Sequence, residues 1–261
     1  MMKNIKTNSN LGKIIPFLLL FVFIFAGYSL RAQNDDGEST AESMKMDFGG
    51  KFGTTISQFT NQQPYTNNAQ GITGGGFFRL HFHKLFGVQA EINYSQQGGR
   101  ITNFEVPGYY GIDNNWYDLK VENQYLRLHK IEIPILGEFS YKLKDTKVKV
   151  NLGPAFSYNA HSGIHSEGTA ISGLEFHTYT GEENVTSKIN SYEFAAIGGI
   201  GFEFDVSNSI FLTVDARYKY GFNPVYEGFS YIGIPQIQGD LKNHSFSFTI
   251  GCGFYKSEIF K

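Results

Sequence analysis

The residues best suited to chemistry are the seven histidines. His161, His165 and His177 share the segment 159–190 with Glu167 and Glu175. Imidazoles and carboxylates can ligate a divalent ion. The spacing of His161 and His165 would suit one face of a helix, but Ser162 and Gly163 between them argue against a helix. A solvated loop is therefore expected. His81 and His83 alternate on one face of a short extended segment, as internal hydrogen-bonding groups do. Gly74-Gly75-Gly76 is not a phosphate loop, because no Lys-Ser or Lys-Thr pair follows it. There is no Gly-x-Ser-x-Gly elbow. Glu132 and Glu138 share a face but lie six residues apart, ~20 Å along a strand, too far for a paired acid and base. The single cysteine, Cys252, excludes an internal disulfide and a cysteine-based zinc site. The expectation is a non-enzymatic protein with no catalytic set, no cofactor and no metal centre.

The chain of 261 residues is 41% hydrophobic, 18% charged and 16% aromatic. That composition excludes a disordered chain, which needs low hydrophobicity and high net charge. Thirty glycines, seven prolines and many aromatics suit long strands. A net charge of -2 without a basic cluster offers nothing to neutralise phosphates along a nucleic acid.

At the N-terminus, Lys3, Lys6 and Lys13 precede an apolar run over residues 14–27. The run is shorter than the ~20 residues of a spanning helix, and Ala32-Gln33 is a small-residue junction. This order predicts a secretory signal peptide over residues 1–32. Its removal takes four of 22 basic residues and none of 24 acids, so the net charge moves from -2 to -6. No cysteine near the junction could carry a lipid anchor. Residues 33–44 read as a flexible lead-in and 45–261 as one barrel domain. Sequencing of the membrane-localised protein is expected to begin at Gln33; retention of Lys3 would contradict cleavage.

From residue 45 onward the pattern has period two, the mark of a strand with two unlike faces. In SFSFTIGCGF (245–254), Phe246, Phe248, Ile250, Cys252 and Phe254 oppose serine, threonine and glycine. Seven further segments behave alike: 48–57, 76–83, 88–95, 131–141, 148–158, 192–204 and 212–222. The parity of Leu126 and Leu128 disagrees with that of Ile131 and Ile133, so a bulge is expected near His129 or Lys130. Connections alternate between long (59–71, 98–123, 159–190, 223–243) and short (83–87, 142–147, 205–209). The expectation is all-β: an eight-stranded antiparallel up-and-down transmembrane β-barrel, with the short turns and both termini periplasmic.

The polar face carries Lys51, Arg79, Lys149, Arg217 and Lys219 with Glu91, Glu132, Glu138, Glu193, Glu203 and Asp215. Eight strands enclose space that side chains can fill, so these eleven residues are expected to form a lumen charge network. Arg217 is expected to meet Glu193 and Glu203 on the preceding strand. Aromatics gather at strand ends, as in the belts of a membrane wall. Tyr109, Tyr110, Trp116 and Tyr117 in the 98–123 loop are candidate partner contacts, because aromatic anchors dominate binding hot spots. The implied environment is outer-membrane lipid, with a monomeric barrel and an unidentified protein partner. A narrow pore and a soluble lipocalin-like barrel for an apolar ligand are the alternatives.

Several stretches resemble the PorT-like outer-membrane β-barrel family of Gram-negative bacteria. They are GITGGGFFRLHF with HKLFGVQAEINYSQQG, YLRLHKIEIPILGEFSY, VNLGPAFSY, FLTVDARYKYGFNPV and HSFSFTIGCGF. Ile131-Glu132-Ile133-Pro134 resembles the family's most recognisable stretch, and the resemblance spans residues 45 to 256. It implies an outer-membrane barrel linked to protein secretion, the role from which the family takes its name.

Overall fold

The computed structural model describes residues 45–60, 66–110, 116–144, 146–226 and 241–256. The expected signal peptide and lead-in lie outside the described residues. Nine strands run in chain order: β1 (Lys45–Phe59), β2 (Thr66–His81), β3 (Phe86–Tyr110), β4 (Trp116–Leu143), β5 (Thr146–Ser172), β6 (Glu175–Asn184), β7 (Tyr192–Asp205), β8 (Ile210–Gly221) and β9 (Asn243–Lys256). Every pairing between them is antiparallel.

Eight strands close a ring. β1 pairs with β9 from Met46↔Lys256 to Phe59↔Asn243, and β5 pairs with β7 from Thr146↔Phe204 to Tyr158↔Tyr192. β6 stands outside the ring and pairs with β5 alone. Closure removes the open edges that a flat sheet would expose. Among the described residues no helix is long and apolar enough to cross a membrane; this chain crosses with strands.

The two faces separate as the alternation requires. Phe52, Ile250, Leu152, Ile92, Ile133 and Ile200 point outward and are exposed, which in a membrane means exposed to lipid. Tyr94, Tyr158, Tyr192, Tyr218 and Tyr220 form a belt at one end of this wall, and Phe48, Phe82, Phe86, Phe204 and Phe254 form another at the opposite end. The alternative of a soluble barrel with an apolar interior does not match this arrangement, because the apolar faces turn outward and the charges inward. The expected irregularity falls at His129 and Lys130 in the β4–β5 pairing, but the extra residue is Ala160 on β5, between the pairs His129↔His161 and Lys130↔Asn159. β4 itself alternates without a break, so Leu128 faces inward with Lys130 and Glu132 while Ile131 faces outward.

One expectation is corrected here. Segments 98–123 and 159–190 are largely strand rather than loop. β3, β4 and β5 run for 25, 28 and 27 residues, well beyond the ~9–11 that cross a bilayer. Past Ile101, β3 has lost β2 and keeps only β4. β5 has lost β7 past Tyr158 and takes β6 from Gly163 onward. The result is a four-stranded sheet, β3-β4-β5-β6, rising from the ring. It has a small core of Phe104 and Val121, packed by Ile101, Leu119 and Tyr179. A sheet of three or more strands with an apolar face can hold its own shape.

The lumen is charged in its middle and apolar toward both ends. At the belt of Phe48 and Phe254, Phe77 and Phe211 point inward with ring centroids 6.2 Å apart. Glycines make room for them: a Cβ on Gly49 would lie 2.6 Å from the Phe77 ring, and one on Gly253 would lie 2.2 Å from that of Phe211. At the other end Phe59, Leu128, Ile164, Val185, Ile189, Val225, Tyr226 and Leu241 form a buried cluster. Val185 and Ile189 flank the short 3-10 turn Thr186–Lys188 that follows β6. The chain thus folds back into the mouth of the ring.

Candidate functional site

Between the two apolar ends lie six buried cations, Lys51, Arg79, Lys130, Lys149, Arg217 and Lys219. Seven acids are buried with them: Asp47, Glu91, Glu132, Glu138, Glu193, Glu203 and Asp215. Each occupies an inward position of its strand, and the pairing registers set its height.

Nearest the mouth, Lys130 Nζ lies 2.5 Å and Lys219 Nζ 2.8 Å from the two oxygens of Glu193. Lys219 also reaches Glu132. Gln97 donates to Glu132 at 3.1 Å. In the middle, Glu91 takes Lys51 at 2.5 Å on one oxygen and Arg217 Nη1 at 2.7 Å on the other. Asn93 also donates to Glu91, at 2.7 Å. Toward the phenylalanine end, Arg79 contacts Glu203 at 2.8 Å, Glu138 at 3.3 Å and Asp47 at 3.4 Å. Glu203 is shared further with Lys147 at 2.7 Å and accepts the Tyr255 hydroxyl at 2.9 Å. Lys149 donates to Thr213 at 2.8 Å. Burying this many charges is tolerable only where each meets the opposite sign and good hydrogen-bond geometry.

Arg217 does not bond Glu193 or Glu203, as strand adjacency suggests. It reaches across the lumen to Glu91 on β3. Parity says which face a residue takes, but not which residue stands at its height on the far wall. Two members were missed from sequence. Lys130 lies one residue ahead of the segment 131–141 and falls on the same face as Glu132 and Pro134. Asp47 lies one residue ahead of the segment where the alternation is clear; counted with Gly49 and Lys51, it falls on the same face.

The space left among these groups is a cavity of about 30 Å³, lined by Lys51, Glu91, Glu132, Arg217 and Lys219 among others. One or two water molecules fit such a volume.

The histidines do not converge. His81 lies 2.6 Å from Asp47 inside the ring, whereas His83 is exposed in the β2–β3 turn. His165 sits between Glu167 at 3.0 Å and Glu182 at 3.2 Å; the hydrogen bond with Glu167 favours its protonated form. His177 approaches Glu175 at 3.5 Å. His161 instead pairs with His129 of β4. Among the described residues no three of His, Cys, Asp or Glu are placed to hold a metal ion. Cys252 faces outward and is exposed.

The aromatic quartet ends at the tip of the β3–β4 hairpin, where Tyr110 pairs with Trp116 and Tyr109 with Tyr117. Trp116 is 65% exposed. The Gly108 N–H donates to Asp118 at 3.0 Å, and φ of +67° at Gly108 falls in the left-handed region that glycine enters without steric cost. Residues 111–115 between the two strands lie outside the described residues.

A closed antiparallel ring with a lipid-compatible outer wall and a charged, filled interior is a transmembrane β-barrel. Residues 31–227 match the family described as outer membrane protein beta-barrel domain, and the chain belongs to that family. It is an outer-membrane protein. No curated protein matches the sequence. Among solved structures it is similar to Ail, the attachment invasion locus protein of Yersinia pestis. Identity there is 12%, 80% of this chain and 98% of that one are covered, and the TM-score is 0.38. It is also similar to OprG of Pseudomonas aeruginosa, at 11% identity over 82% of this chain and 96% of that one, with a TM-score of 0.44. The outer membrane protease OmpT of Escherichia coli is similar at 10% identity, over 85% and 99% of the two chains, with a TM-score of 0.30.

Proposed function

We propose that the protein is a closed, non-conducting barrel that anchors the β3–β6 sheet outside the cell as a contact surface for a protein partner. The sheet itself carries this reading: four strands continue past the ring, stiffened by their own core. An extension with no contact to make would gain little from that order, because each residue it fixes costs ~1–2 kcal/mol of backbone entropy. Its tips present large apolar side chains, Trp116 at 65% and Phe176 at 69% exposure, the kind of anchor that fills partner pockets. The resemblance to PorT-like barrels makes a component of protein secretion the first partner class to examine.

The reading places the long hairpins outside and both termini in the periplasm. Gly173, at the β5–β6 turn, has open space around it and φ of +62°. A peptide tag inserted there is expected to be labelled on intact cells; labelling only after lysis would overturn the orientation. Photo-crosslinkers at Trp116 and Phe176 should give discrete protein adducts on intact cells, and one at lipid-facing Leu152 should not. Identical patterns from all three would remove the platform reading.

A pore is disfavoured by the filled lumen. Charges of both signs are interleaved, whereas a selective ion path is lined by rings of one sign. Planar-bilayer recordings of the purified protein are expected to show no steady large conductance. A stable, wide channel would make transport the better reading.

A further inference from the structure

We propose that Arg127, His129 and His161 form a docking site for the phosphate of a glycolipid headgroup in the outer leaflet. The lipid class rests on the orientation proposed above. The three residues sit on the outer face immediately beyond the tyrosine belt. Ile131 is the last lipid-facing residue of β4 on this side and pairs with Tyr94 and Tyr158. His129, two residues further, has Nδ1 2.6 Å from the Tyr94 hydroxyl. The patch, with Arg127 as its fixed cation, is therefore continuous with the lipid-facing wall, at the depth where headgroups begin.

The local geometry leaves this patch open to a ligand. Arg127 pairs with Gly98 on β3 and Gly163 on β5, so its guanidinium stands on a floor without side chains on either flank. The His161 ring leans over the same floor: a Cβ on Gly163 would lie 3.7 Å from His161 Nε2. The His129 and His161 rings are cross-strand neighbours with centroids 5.5 Å apart. When the Tyr94 hydroxyl donates to His129 Nδ1, the proton of the neutral ring resides on Nε2, which is then a donor. Tyr125 backs the site, with the Arg127 and Arg100 guanidinium carbons 5.8 and 5.3 Å from its ring centroid.

Charge balance supports an external anion. Neither Arg127 nor Arg100 has a carboxylate partner among the described residues. On β5 and β6, Glu167 and Glu182 contact His165, and Glu183 contacts Lys188 at 2.7 Å. A guanidinium suits phosphate because its planar donors can bind two oxygens at once.

The test uses the full chain in nanodiscs of phosphatidylcholine containing a minor fraction of phosphorylated lipid A, with lipid A enrichment around the protein as the readout. Both faces of such a disc carry the headgroup, so the result is independent of orientation in the cell, which the Gly173 tag tests separately. Wild type is expected to enrich phosphorylated over dephosphorylated lipid A. Arg127→Gln, and the double variant His129→Gln with His161→Gln, are each expected to lose that preference about fivefold, the scale of an exposed charged contact. Arg127→Lys should recover part of it. Equal enrichment of the two lipids, or an unchanged preference in correctly folded variants, would overturn the proposal. Abolition of the preference by millimolar inorganic phosphate would assign the site to a soluble anion instead, and would overturn the lipid assignment.

Discussion

Replacing Arg79 by alanine is expected to destabilise the folded barrel by about 3–5 kcal/mol, the cost of removing one partner from a buried ionic cluster. Arg79 is 0% exposed and meets three carboxylates, Glu203, Glu138 and Asp47. Its Nε also donates to Gln89 at 3.0 Å. Its guanidinium carbon lies 5.5 and 5.4 Å from the Phe77 and Phe211 ring centroids, so the alanine variant loses packing as well as charge. The three acids are not left equally exposed to the loss. Glu203 keeps Lys147, and Asp47 keeps His81. Glu138 has no other ion pair within 4 Å among the described residues. Adding Glu138→Gln to Arg79→Ala should therefore restore part of the stability, a coupling that a double-mutant cycle measures directly. Arg79→Lys should fall between wild type and alanine, because an ammonium keeps the charge but loses the fork. Denaturant titration of protein folded into vesicles provides the readout. An alanine variant within 0.5 kcal/mol of wild type, the scale of a neutral surface change, would show that water already solvates this cluster.

The ring was legible in the sequence because its two environments differ strongly. Lipid on one side and a packed polar interior on the other force every second residue into the same chemical class, as in Phe246 to Phe254 of β9. The continuation of β3 to β6 was not legible for the same reason. Beyond the belts both faces of the sheet meet water or a small local core. In Glu175–Asn184 the inward-outward contrast is therefore nearly absent, and glycine, threonine and glutamate alternate without a clear period. Cross-strand pairing holds these segments extended, and pairing is a property of two strands that a pattern in one does not reveal. The phenylalanine plug was half visible. Phe77 stands on the polar face of its strand, an anomaly that acquires meaning once Phe211 is seen to face it and Gly49 and Gly253 make room. The cross-lumen partners were hidden because they depend on the stagger between strands far apart in sequence, as Arg217 and Glu91 are.

The second large effect should separate lipid from water along one molecule. Ile250 lies mid-strand in β9, paired with Phe52 of β1 and Val214 of β8, and is 62% exposed on the outer face. In water an exposed isoleucine accepts a charge at little cost. At the bilayer midplane Ile250→Arg is expected to cost about 2–4 kcal/mol, falling to about 0–1 near the interfaces. Phe176 is as exposed, at 69%, but belongs to β6 in the extension. Phe176→Arg is expected to change stability by no more than about 0.5 kcal/mol, as at an ordinary aqueous surface. The two substitutions introduce the same side chain at apolar, outward, strand positions of similar exposure, so intrinsic strand preference nearly cancels between them. What remains is the solvent each position meets. Folding yields and denaturant midpoints in phosphatidylcholine vesicles would measure both. Equal costs would mean that the sheet beyond the belts is embedded, or that the ring wall is not, and either result would move the membrane boundary from the level of Tyr94, Tyr158 and Tyr192.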